Sequence, residues 1–456
     1  ASLVGSEMCI RDSITGVIGC LCVCGFYSCK ETTPTPVDTK YIKDFHTTNF
    51  LHSAKMLEED KLALYVDYST CIAEGMKTSA LYVKLVPSFV EATKAFYSIK
   101  GDSIKQEVPA NTYNRLLNIH EVNYADLKTA AEQIAKGNTE AALLTDGEYY
   151  NPTIAHANPN NPYLANAFKT WMKKGHDIFI ISEPYIESNH GLQYNKKRFY
   201  FLFTDTRLKN NIYERINQTA SLEQFPNVQI FHLSADHPNV MAIGNSSETN
   251  DLLAANIEPC GIFEIQEWTV DWKQIEKNIM GAVDGQTGNP LPNGDFVIKG
   301  LKVDRNSFGG YRITDVDVKV YDLNIAYMDF YMRKESGEKV GTLSKGLPEC
   351  PNFLIVDHKE FERHGMIHLY FDIMNYNNAF LIGKPNNYFK IDFFITKTEN
   401  VFSKYSSMFT FDLLGHPGIT NSSVVTSVEQ CLVDKDLENQ MKHSPFYTIY
   451  VKSNKY

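Results

Sequence analysis

The 456-residue chain has no run of about 20 apolar residues, the length a helix needs to cross the hydrocarbon of a bilayer, so no transmembrane helix is expected. Basic charge is scarce as well: 44 Lys and Arg stand against 54 Asp and Glu, a formal net charge of −10. Proteins that grip nucleic acid concentrate basic side chains against phosphate, so nucleic acid is excluded as the main partner. The sequence lacks a Gly-x-Ser-x-Gly elbow, a phosphate loop, a dinucleotide fingerprint and a His-Glu-x-x-His pair. That leaves only enzymes whose working residues are dispersed along the chain. Cysteine is sparse beyond Cys29. Cys71, Cys260, Cys350 and Cys431 are widely and irregularly spaced and fit no metal motif. Four thiols allow three pairings, but a core of this size needs no staples, and free buried thiols are expected.

What is present is ordinary in bulk, with 43 % hydrophobic and 21 % charged residues. Aromatics are plentiful, 26 Tyr and 27 Phe, and they favour strands. The length suits two or three domains of ~100–200 residues each.

Met8 to Ser13 resembles the translated end of a sequencing adapter, and residues 1–13 are kept out of the fold reasoning. Residues 14–28 form an uncharged apolar run of signal-peptide length, closing on Ser28-Cys29. Lys30-Glu31 and a Thr/Pro-rich tail follow, an extended composition with no core to join. Small residue, cysteine and tether together resemble the lipobox of bacterial lipoproteins, although Phe26 and Tyr27 depart from its usual residues. The resemblance implies cleavage before Cys29, a multi-chain lipid on that cysteine and stable anchoring. It places the folded part in the bacterial cell envelope, on the outer membrane or cell surface.

From residue 61 onward, apolar runs alternate with helical spacing. Strands are expected at 61–67, 94–100, 141–146, 177–184, 198–205 and 228–233. Helices are expected at 71–90, 124–136, 160–174 and 207–222. Apolar strands alternating with helices indicate an α/β fold, with a mostly parallel sheet covered on both faces. Three of the strands close on an acid: Asp67, Asp146 and Glu183. In open α/β sheets, sites lie beyond the carboxyl ends of strands. A further helix is expected at 272–282, and 285–295, rich in Gly, Pro and Asn, reads as a linker. Beyond it the rhythm is all strand, at 296–299, 316–321, 367–372, 388–395 and 447–451, which suggests a β-sandwich. His364 and His368 would share a strand face near Asp357 and His358, a pattern more typical of a strand histidine than of a metal site.

Asp67-Tyr68-Ser69-Thr70-Cys71, with Thr145-Asp146-Gly147 later in the chain, resembles the von Willebrand factor A domain. That family holds a divalent ion, its metal-ion-dependent adhesion site, on Asp-x-Ser-x-Ser, a loop threonine and Thr-Asp-Gly. The resemblance implies a Rossmann-like sheet and metal ligands at Asp67, Ser69 and Asp146, with Mg²⁺ as cofactor. A hard cation suits such oxygen donors and keeps a position open for a partner's carboxylate. Cys71 stands where the family has serine, and a thiol is a poor Mg²⁺ ligand. No threonine occupies the loop at 121–126, where Asn123 is the nearest substitute. The same residues also have a plainer use: Asp67, Ser69 and Thr70 as helix caps, and Asp146-Gly147 as a turn.

The expected organisation is adapter-like residues and signal at 1–28, a tether at 29–40, a von Willebrand factor A-like domain at 41–284, the linker at 285–295 and a β-sandwich at 296–456. The expected function is a membrane-anchored, non-catalytic binding or adhesion lipoprotein with an extracytoplasmic protein or glycan as partner. The alternatives are an exported metal-dependent hydrolase using Asp67, Asp146 and Glu183, and a structural subunit of an envelope assembly.

Overall fold

The computed structural model describes residues 38–50, 62–69, 79–118, 124–235 (save 149, 152–155, 158–160, 190, 207 and 209), 253–259, 263–270, 296–351 (save 304 and 306–309), 354–371 and 386–455 (save 414). Cys29, Cys71, Asn123, Cys260, the stretch 285–295 and the expected helix at 272–282 lie outside the described residues.

Helix α1 (Ile42–Asn49) comes first. The next elements build a seven-stranded sheet from β1 (Leu62–Asp67), β2 (Thr93–Lys100), β3 (Ser103–Glu107), β4 (Ala141–Thr145), β7 (Asp177–Asn189), β8 (Leu192–Thr204) and β9 (Gln229–Leu233). A short ribbon of β5 (Tyr150–Asn151) and β6 (His156–Ala157) falls between β4 and β7. The spatial order is β3-β2-β1-β4-β8-β7-β9. Pairing is parallel at β1–β2 and β1–β4, and antiparallel at β2–β3, β4–β8, β7–β8 and β7–β9. The sheet is therefore mixed: parallel around the acidic motifs, antiparallel beyond them.

Helices α2 (Ala80–Ala92), α3 (Thr112–Leu117), α4 (Leu127–Lys136), α5 (Ala165–Met172) and α6 (Ile212–Ala220) connect and cover it. Burial on both faces explains why the strands read as continuous apolar runs. Successive strand residues point to opposite faces. Leu64, Val66, Leu144, Tyr200 and Leu202 pack with α2 and α6, whereas Tyr65, Leu143, Phe199, Phe201 and Phe203 pack with α4 and α5. Capping residues set the helix starts: Ser79 accepts Tyr82 N–H, Asp126 accepts Thr129 N–H and Asn211 accepts Glu214 N–H. Glu140, fully buried, accepts the N–H groups of Asp205 and Ile212 and pairs with Arg215 at 2.9 Å, fixing the start of α6.

A second sheet runs β10 (Leu253–Pro259), β11 (Phe263–Val270), β19 (Tyr447–Lys455), β16 (Asn386–Asn400) and β13 (Tyr311–Asp322), antiparallel except at β11–β19. A third, antiparallel sheet holds β12 (Phe296–Lys302), β15 (Met366–Phe371) and β14 (Leu354–Val356), and β17 (Thr410–Leu413) pairs with β18 (His416–Thr420). The expected C-terminal strands are all present, but the all-strand rhythm is corrected by helices α7 (Asn324–Glu335), α8 (His358–His364), α9 (Ser422–Leu432) and α10 (Lys435–His443). His364 accordingly ends a helix, paired with Glu360 at 2.7 Å, while His368 lies in β15, so the two share no strand face. Cys350 and Cys431 are free and buried.

One cluster of buried side chains continues from the first sheet into the C-terminal elements. Phe199 stacks on Phe409, Phe231 meets Phe402 edge-on, and α9 places Val424, Val428 and Cys431 in the same cluster as α5. Leu164 N–H donates to Ser427 Oγ across that contact. Helix α1 docks on the C-terminal sheet: Phe45 packs among Tyr327, Phe330 and Phe50, and His46 Nδ1 lies 2.9 Å from the Tyr450 hydroxyl. Beneath it, Lys390 and Asp392 form a buried ion pair. Among the described residues no helix is long and apolar enough to cross a membrane.

Candidate functional site

Because β1 and β4 are parallel neighbours in register from Ala63↔Ala141 to Val66↔Leu144, they release their chains at the same sheet edge. Asp67 closes β1 and Asp146 follows β4 directly, both almost fully buried. Asp67 Oδ1 accepts the Ser69 N–H at 2.7 Å, and its Oδ2 accepts the Thr145 hydroxyl at 2.7 Å. Thr145 Oγ in turn accepts the Gly147 N–H at 3.0 Å, and Asp146 Oδ1 accepts the Glu148 N–H at 2.9 Å. Gly147 has φ +70°, and a Cβ there would stand 2.9 Å from the Phe199 ring, so glycine is required for the turn. Its carbonyl accepts from Tyr163 at 3.0 Å and from Asn421 at 2.9 Å. Asn421 also caps α9, so a C-terminal helix is tied directly to this turn.

Three further side chains join the two aspartates. The β7–β8 hairpin extends past the ends of β1 and β4 and presents Glu187 and Lys196; Glu148 comes from the turn after β4. Lys196 Nζ lies 2.6 Å from Glu148 Oε1 and 3.8 Å from Glu187 Oε2, and sits over the Phe411 ring. Burial is the largest influence on Asp67 and Asp146 and raises both above the ordinary carboxylate range. The Asp67 charge raises Asp146 further. Glu148 is pushed up to about 8 by burial and then by Asp146, against the opposing pull of Lys196. Ser69 Oγ is buried beside Asp67, with no well-formed hydrogen bond among the described residues. Two hard carboxylates and a neighbouring hydroxyl suit an oxygen-seeking divalent cation. Among the described residues no three His, Cys, Asp or Glu side chains are grouped to hold a metal, so the hydroxyl is a necessary part of any such site.

Glu183 has a different role from that expected of a strand-end acid. Its strand continues to Asn189, and its carboxylate is fully engaged. Ser79 Oγ donates to Oε1; Tyr200 OH donates to Oε2 at 2.9 Å, and Arg198 approaches the same oxygen at 3.3 Å. The Arg198 guanidinium lies between the rings of Tyr82 and Tyr185, 5.4 and 5.2 Å from their centroids, with no solvent exposure.

The structure thus brings Asp67, Ser69 and Asp146 to one place and sets Glu183 in a separate network. Glu148, Glu187 and Lys196 were not singled out from the sequence. The available signal was Asp-Gly-Glu after a buried strand; nothing local marks a lysine that reaches in from a hairpin tens of residues away. No known protein family, curated protein or solved structure matches the chain.

Proposed function

We propose that the chain is a non-catalytic binding lipoprotein of the bacterial envelope, held by lipid on Cys29, with a von Willebrand factor A-like domain followed by a β-sandwich. In this reading Asp67, Ser69 and Asp146 hold a divalent cation such as Mg²⁺ at the sheet edge. The cation would offer a Lewis-acidic position to a carboxylate on an extracytoplasmic protein or glycan. The observation that carries the reading is Ser69 Oγ, a buried hydroxyl without a well-formed hydrogen bond beside two buried carboxylates whose proton affinity burial raises. A buried polar group without a partner is costly, and a ligand is one way to satisfy it. Calorimetry with Mn²⁺ tests the reading. Wild type should bind and Asp67→Ala should not; identical traces for the two would overturn it.

A further inference from the structure

Strand β7 is half-paired. It meets β9 only from Ile178 to Ser182, while its pairing with β8 runs on to Asn189↔Leu192. Two residues separate that last pair, and a two-residue hairpin closes on a hydrogen-bonded pair. Bonded and non-bonded pairs then alternate down the ladder. Glu187, Tyr185 and Glu183 therefore exchange bonds with β8, and Pro184, Ile186 and Ser188 turn their backbone groups to the open edge. Pro184, which has no N–H to give, stands at one of the positions where the hairpin needs none. Among the described residues nothing hydrogen-bonds the outward groups of Ile186 or Ser188.

Edges of this kind are usually blunted by charge or covered, because they are templates for another strand. Here the outward residues are Pro184, Ile186 and Ser188, and Ile186 is 53 % exposed. A cavity of about 530 Å³ lies along this edge, with apolar walls from Leu81, Tyr185, Ile186, Phe225 and Val228. That size accommodates one or two side chains of a ligand. One end of the cleft is formed by the start of α2, whose first turn holds no acidic residue. Lys84 stands exposed there, 5.6 Å over the Phe225 ring, with no acidic partner among the described residues. Glu183, the carboxylate in the cleft, is occupied by Ser79, Tyr200 and Arg198.

From this arrangement we infer that the cleft binds an extended peptide segment of a partner protein as an added strand on β7. The peptide's backbone pairs with Ile186 and Ser188. An apolar side chain fills the space between Leu81, Phe225 and Val228, and an acidic residue faces Lys84. Main-chain pairing supplies affinity and the alternating side chains supply selectivity. The inference is independent of the cation site.

The test uses a displayed library of random heptapeptides selected on the whole chain. The recovered peptides, fluorescently labelled, are then titrated against variants. Ile186→Pro removes an outward N–H without touching the hairpin's own bonds, and Lys84→Glu reverses the rim charge. Both should weaken binding at least tenfold while wild-type melting is kept. Ile186→Lys, a charge on an already exposed side chain, is the second edge variant should Ile186→Pro unfold. Bound peptide should slow amide exchange at Ile186 and Ser188. The inference is overturned if no peptide binds, if the selected peptides bind the edge variants equally, if those two amides stay unprotected, or if the edge pairs two copies of this chain instead.

Discussion

Two sets of buried carboxylates meet the same β7–β8 hairpin, and they are provided for differently. Glu183 has a hydroxyl, a phenol and a guanidinium on its two oxygens, and the charge of Arg198 balances its own. Asp146, Glu148 and Glu187 share Lys196, and Asp67 adds its charge beside Asp146, so among the described residues acids outnumber the cation that faces them. In the first, both carboxylate oxygens are satisfied and the charges balance, which gives it a structural role. In the second, the folded protein favours protonation of Asp67, Asp146 and Glu148, which is how a site behaves when it lacks a positive charge.

The largest expected effect separates the two sets by stability. Arg198→Met leaves Glu183 buried and unpaired and should cost about 3–5 kcal/mol in urea unfolding. Asp146→Asn, which removes a repelling charge, should leave stability unchanged or raise it. Equal losses would erase the distinction. Next in size is Gly147→Ala, expected to cost about 1–3 kcal/mol from its positive φ and the encounter with Phe199. Its unfolding transition should also report loosening of α9 through Asn421. A smaller effect follows pH. An acid whose folded pKa lies above its unfolded value keeps the proton longer in the folded state. Stability is then lost as pH rises from the ordinary carboxylate range through the folded values, the highest of them about 8 for Glu148. Melting temperature should fall between about pH 5 and 8, and Asp146→Asn should flatten that slope. A wild-type profile that rises over this window would contradict the reading. The smallest effect belongs to Ser69→Ala, which should change metal-free stability by less than about 0.5 kcal/mol. It should nonetheless reduce the stabilisation that Mn²⁺ gives to wild type at pH 8.

The N-terminal sheet was legible because burial on both faces writes apolar runs directly into the sequence, and the acids closing β1 and β4 marked the edge they share. The pairing directions were not legible. An apolar run such as that of β8 reads the same in either orientation, and the hairpin's length depends on Pro184 being tolerated at an outward position. The C-terminal helices were missed for a related reason. Helix α9 is rich in β-branched residues (Val424, Val425, Thr426 and Val428), which favour strands locally. Packing against α5 and capping by Asn421 override that preference. At the site, Asp67 and Asp146 were visible as strand-end carboxylates, whereas Lys196 became relevant only through the reach of its side chain across the hairpin.

Helix α1 adds a mechanical consequence. It is buckled to the far end of the chain through His46 and Tyr450, and to α7 by Lys40 and Tyr41 on Glu335 and by Asp44 on Lys334. A pull arriving from the residues ahead of Asp38 is borne first by these fastenings and passes into the ladder of β16 and β19. As long as α1 holds, β1 carries none of that load, and under the proposed anchoring at Cys29 Asp67 at its tip would be insulated from tension on the anchor.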